Sequence, residues 1–154
     1  MSNKAFDPEY YPGIEYDPEE FETYKNFPIY KKSLVIRKLT QAVVSTLDEH
    51  DEMNLKQLML ENAYMISSKI AGAEAGELYT YRLENALSIK RFANELMAEV
   101  ALCESKNLGN TKYIQPLINE IDEFHDMFVN WVDSFDKSKD VEDSWALWQD
   151  YGGE

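Results

Sequence analysis

The chain has 154 residues, 44% of them apolar, with six glycines, five prolines and a formal charge of −14, which is enough length to bury one core without a metal or disulfide. A single cysteine, Cys103, excludes an internal disulfide and a cysteine-based zinc cluster. No run approaches the roughly 20 apolar residues of a membrane span, and no basic, apolar leader opens the chain, so a cytoplasmic protein of one domain is expected.

The charge is concentrated at the ends. Residues 1–22 hold seven acids and one lysine, and residues 133–154 hold seven acids and two lysines, whereas the body between them is almost neutral. Residues 1–27 read as an acidic, aromatic tail. Its stretch FDPEYYPGIEYDPEEF (6–21) repeats an aromatic-Asp-Pro-Glu unit ten residues apart, and its prolines oppose long helix. Solvating tails are usually poor in aromatics, yet this one carries Phe6, Tyr10, Tyr16 and Phe21. Aromatic anchors among acids suit docking into basic grooves, where rings supply affinity and charge supplies steering.

A four-helix bundle is expected over residues 28–136. Helix one should run from Pro28 to Leu47, with Ile29, Ile36, Leu39, Val43 and Leu47 on one stripe. No acid occurs between Thr23 and Leu47, while Lys31, Lys32, Arg37 and Lys38 are basic. These cations, joined by Lys90 and Arg91, are the candidate nucleic-acid contacts. The plainer reading is an ordinary solvated helix face. After the polar connector DEHDEMN, Asn54 can cap helix two, expected from Leu55 to Ala71, where AGAEAGE should break it. Helix three should span Leu78 to Asn107, ending at NLGNT, whose glycine suits a helix C-terminus. Pro116 lies early enough in helix four to be tolerated.

Helix four carries two apolar stripes. Ile114, Ile118, Ile121, His125, Phe128, Val132 and Phe135 alternate steps of four and three, and Leu117, Phe124 and Trp131 lie beside them. One stripe suffices to face a core. The second set, Leu117, Phe124 and Trp131, is therefore expected at an oligomer interface, the alternative being a helix covered on both sides by its own chain. Short connections make the bundle antiparallel and up-down. Residues 137–154 form a second acidic tail, bearing Trp145 and Trp148 as further docking anchors.

No catalytic constellation emerges, and no cofactor or metal is expected. His125 follows Asp122 by three residues, but a di-metal bundle site needs paired Glu-x-x-His motifs, so His125 reads as a core or interface histidine satisfied by a hydrogen bond. Cys103 reads as a small buried hydrophobe.

Residues 77–92, ELYTYRLENALSIKRF, and 121–132, IDEFHDMFVNWV, resemble the four-helix-bundle family of proteins encoded in rRNA intervening sequences and its relatives, the accessory variability determinants of diversity-generating retroelements. Leu78-Tyr79, Arg91-Phe92, Glu123 and Trp131 carry the likeness. The resemblance implies a non-enzymatic homo-oligomer, a pentamer in most members. The retroelement relatives bind a reverse transcriptase and nucleic acid through a basic surface. Arg91 fits that pattern, while Glu95 and Asp126 stand where bases would be expected. The reading is a scaffold or adaptor whose tails bind a protein partner, with a reverse transcriptase as the leading candidate. Its alternative is direct RNA or DNA binding by the first helix, with the acidic tails as a competing mask.

Overall fold

The computed structural model describes residues 26–50 and 53–140, and over these the chain is all-helical. The helices are α1 (Pro28–Ser45), α2 (Leu55–Glu74), α3 (Tyr79–Ser105) and α4 (Thr111–Asp133). A 3-10 turn, Lys137–Lys139, follows within the segment expected to be tail. Each of α1 and α3 packs on both α2 and α4, leaving α1 and α3 diagonal across a four-helix bundle.

Local chemistry explains most of the boundaries. Pro28 occupies the first turn of α1, where its missing N–H costs nothing. α3 ends in a paired motif: Leu108 N–H donates to the Cys103 carbonyl and Asn107 N–H to that of Glu104. The left-handed residue that makes this possible is Asn107, at φ 53°, rather than the expected glycine. Gly109 serves the next step of the turn. Its φ of 70° and the 3.1 Å between a built Cβ and Thr46 Oγ1 both favour glycine. That hydroxyl accepts from Asn110 N–H, tying the end of α1 to the start of α4. Asn110 then caps α4 by accepting from Lys112 N–H.

Two local expectations are corrected, and Pro116 is tolerated within α4 as expected but for a different reason. α2 does not stop at Ala71 but runs through Gly72 to Glu74, because one glycine costs only about 1 kcal/mol in a helix that packing supports. Asn54 stands at the N-cap of α2 in the left-handed region, yet its side chain makes no capping bond and its Nδ2 instead donates to Gln57. Pro116 is the sixth residue of α4, past the first turn, so it removes a bond that the Lys112 carbonyl would ordinarily accept.

The core reads as interlocking steps of three and four. α1 contributes Ile29, Ser33, Ile36, Thr40 and Val43, so small hydroxyl residues, rather than Leu39, complete its inner face. Burial of Ser33 and Thr40 is affordable because each hydroxyl bonds a carbonyl of its own helix, Tyr30 at 2.6 Å and Ile36 at 2.8 Å.

α4 reverses the expectation about its stripes. Leu117, Phe124 and Trp131, expected at an interface with another subunit, are 0%, 2% and 9% exposed and lie in the chain's own core. With Ile114, Ile121 and Phe135 they form the inner face. The other set turns outward: Ile118, Phe128 and Val132 are half-buried and His125 is exposed. Large aromatics bury more area than a histidine or valine, and that difference selects the face. Cys103 is fully buried, its Sγ 4.0 Å from Met59 Sδ.

Candidate protein-docking groove

An open groove of about 490 Å³ runs between α3 and α4, lined by Lys90, Ala93, Asn94 and Met97 on one wall and Ile121, Asp122, Phe124, His125, Phe128 and Val129 on the other. Its origin is visible in the packing register. The inner face of α3 steps through Ala86, Ile89, Ala93, Leu96, Val100 and Cys103. At position 93 the register meets only a methyl group, while α4 presents the rings of Phe124 and Phe128, stacked at 6.1 Å between centroids. The alanine leaves space that neither ring fills. Val129, 44% exposed, extends the apolar wall to solvent.

One end of the bundle is fixed by a compact cluster. Glu74 Oε1 accepts from both Arg82 Nη2 at 2.7 Å and Trp131 Nε1 at 2.6 Å, so the ends of α2 and α4 and the start of α3 meet at one carboxylate. The Arg82 guanidinium lies 4.2 Å from the centroid of the Phe135 ring, which packs edge-on against Trp131 at 4.7 Å. Trp131 is therefore an internal strut. Its indole N–H has the partner a buried tryptophan requires.

The basic residues do not converge. Lys32 donates to Glu120 at 2.6 Å and Glu123 at 2.5 Å. The hydrogen bond to Glu120, then that to Glu123, raises its pKa above the usual lysine value. Arg37 stacks on Tyr64 at 4.7 Å and Arg91 on Phe92 at 4.8 Å. Lys31, Lys38 and Lys90 are exposed. Because α1 and α3 are diagonal, Lys90 and Arg91 lie on a different side of the bundle from the α1 cations.

His125 is neither a core residue nor deeply seated: its side chain is 75% exposed, with Nδ1 3.3 Å from Asp126 Oδ1. Among the described residues no three His, Cys, Asp or Glu side chains stand together as a metal-ion site, and no helix is long and apolar enough to cross a membrane. The docking anchors Phe6, Tyr10, Tyr16, Phe21, Trp145 and Trp148 lie outside the described residues. Sequence reasoning missed the groove. Ala93 within a run of larger inner residues was the available signal, but it has meaning only once α4 is known to face it. No protein-family profile matches the chain, and no characterised protein has a significantly similar sequence.

Proposed function

We propose that the protein is a non-enzymatic scaffold: an antiparallel, up-down four-helix bundle that assembles as a homo-oligomer and binds a protein partner in the cytoplasm. The observation that carries this reading is the groove between α3 and α4, an apolar slot continuous with the core and open to solvent along Phe128 and Val129. Amphipathic segments bind in such slots by laying apolar anchors between two helices. The likeness to the rRNA intervening-sequence and retroelement accessory proteins adds the pentamer and a nucleic-acid-handling enzyme, foremost a reverse transcriptase, as the partner. The acidic tails, with their aromatic anchors, extend the contact, and repetition around an oligomer multiplies it through effective concentration.

Direct nucleic-acid binding by α1 has less in its favour, because Lys32 is held by two glutamates and Arg37 is stacked on Tyr64. The test is light scattering on the full chain, followed by capture from native cells. A particle several times the 17.9 kDa chain mass, stable to dilution, is expected. Captured protein should be lost in a Val129→Asp variant. A monomer would remove the scaffold reading, and nucleic acid enriched without protein, in a salt-sensitive manner, would favour the α1 alternative.

A further inference from the structure

The geometry points to an occupant for the α3–α4 groove within the chain itself: residues 141–154, with Trp145 and Trp148 seated in the slot of the same molecule. The described chain ends against the first turn of α3, the helix whose later turns form one groove wall. Asp140 accepts from Thr80 Oγ1 in the first turn of α3, and Lys139 Nζ lies 3.8 Å from Glu77. The C-terminal segment therefore departs from α3, one of the two groove walls.

Distances agree. The groove wall on α3 begins at Lys90 and extends to Met97, ten to seventeen residues beyond Thr80, or about 15–25 Å at the helical rise. Trp145 and Trp148 lie five and eight residues past Asp140, a reach of about 17 and 27 Å for extended chain. With residues 141–145 extended and one helical turn from Trp145 to Trp148, the second indole lies about 5 Å beyond the first, and both fall within the span of the groove.

Chemistry agrees as well. The segment reads VEDSWALWQDYGGE, with two tryptophans three residues apart. That spacing puts both indoles on one side of a helical turn, the arrangement that fits a slot between helices. The volume, about 490 Å³, lies within the ~300–1,000 Å³ typical of sites that bury most of a ligand. The four acids of the segment meet Lys90 and its neighbour Arg91 along the α3 wall, whereas Asp122 faces them from α4. Charge thus selects the α3 side for the acidic residues, and apolar burial supplies the affinity. The inference rests on the docking reading only in using the same groove: a seated tail would have to leave before a partner could enter.

Tryptophan quenching on the full chain tests it. The chain has three tryptophans, and subtracting the signal of a Trp145→Phe/Trp148→Phe variant isolates the two in the tail. Burial of ~70–90% of each indole predicts blue-shifted tail emission and acrylamide quenching about three- to tenfold weaker than for free tryptophan. Val129→Asp, at an exposed position, and Ala93→Leu, which fills the slot, should each restore free quenching with helicity unchanged by circular dichroism. Should one variant lose helicity, the other carries the test. Tail tryptophans that quench freely in the native chain, or that stay protected in a folded groove variant, overturn the proposal. Protection that fades on dilution also overturns it, because the tail would then be seated in a second copy. Light scattering reads the oligomeric scaffold independently, so the two readings fail separately.

Discussion

The two flanks of α3 are built from the same helix and differ in what opposes it. Towards α2 the seam is closed: Met59 meets Cys103, Asn62 Nδ2 donates to Glu99 at 2.8 Å, and Ala63, Ile66 and Ile70 are fully buried. Towards α4 the seam opens into the groove, because Ala93 faces the rings of Phe124 and Phe128. Helix spacing follows the side chains at the contact. The α2 side chains fill the seam against α3, whereas the aromatics of α4 leave a slot beside the alanine.

Substitutions that change volume should separate the flanks most clearly. Met59→Ala empties a fully buried position on the closed side and is expected to cost about 2–5 kcal/mol in urea denaturation. A cost below about 1 kcal/mol would mean that the seam is looser than its burial implies. Filling experiments probe the same contrast in the opposite direction. Ala63→Leu overpacks the closed seam and should destabilise by about 1–3 kcal/mol. In a chain shortened to end at Asp140, Ala93→Leu enters existing space and should be neutral or stabilising by up to about 1 kcal/mol. Equal penalties at 63 and 93 would show that the groove closes in solution.

The cluster at the end of the bundle gives the next effect in size. Trp131→Phe keeps most of the ring volume but removes the indole donor to Glu74. Arg82 still pairs with that carboxylate at 2.7 Å, so the expected loss is about 1.5–2 kcal/mol, the low end of the range for a hydrogen bond to a charged group. A loss near 4 kcal/mol would instead indicate that packing against Phe135 depends on the indole ring itself.

Helix number, helix type and much of the core were legible because they follow from local periodicity. Ile29, Ile36 and Val43 recur every seven residues on α1, and the hydrophobic sequence of α4 leaves no other element type open. What was not legible concerns choices between equivalent local patterns. Ile114, Ile121 and Phe135 of the first stripe stay inside; deciding whether Leu117, Phe124 and Trp131 or Ile118, His125, Phe128 and Val132 join them required the neighbouring helices. Ser33 and Thr40 were likewise hidden, because a polar residue becomes a core residue only where its hydroxyl can bond its own helix. The groove is further from local pattern still. It depends on a methyl group in one helix and two rings in another.

The smallest expected effect tests whether the closed flank also carries a cost. Glu99 accepts from the buried Asn62 through Oε1, while Oε2 is buried without a hydrogen-bond partner among the described residues. Burial pushes the Glu99 carboxyl above the usual glutamate pKa, the Asn62 bond opposes the shift, and nearby Glu95 adds to it. A carboxyl whose folded pKa is raised favours the folded state fully below its unfolded pKa of about 4.3, and that contribution is lost as pH rises through the folded value. At neutral pH the ionised Glu99 therefore destabilises the seam. Glu99→Gln keeps an acceptor for Asn62 and removes the charge. It should stabilise the protein at pH 7 by less than about 1 kcal/mol, given the solvent screening of a half-exposed group. The gain should shrink as pH falls and vanish well below the unfolded pKa of about 4.3, where the carboxyl is protonated in both states. A variant equally stabilising at pH 7 and well below that pKa would show that the benefit comes from packing or hydrogen bonding. A variant less stable at pH 7 would mean that the ionised carboxylate holds Asn62 more strongly than its burial costs, and the closed flank would then owe part of its tightness to charge.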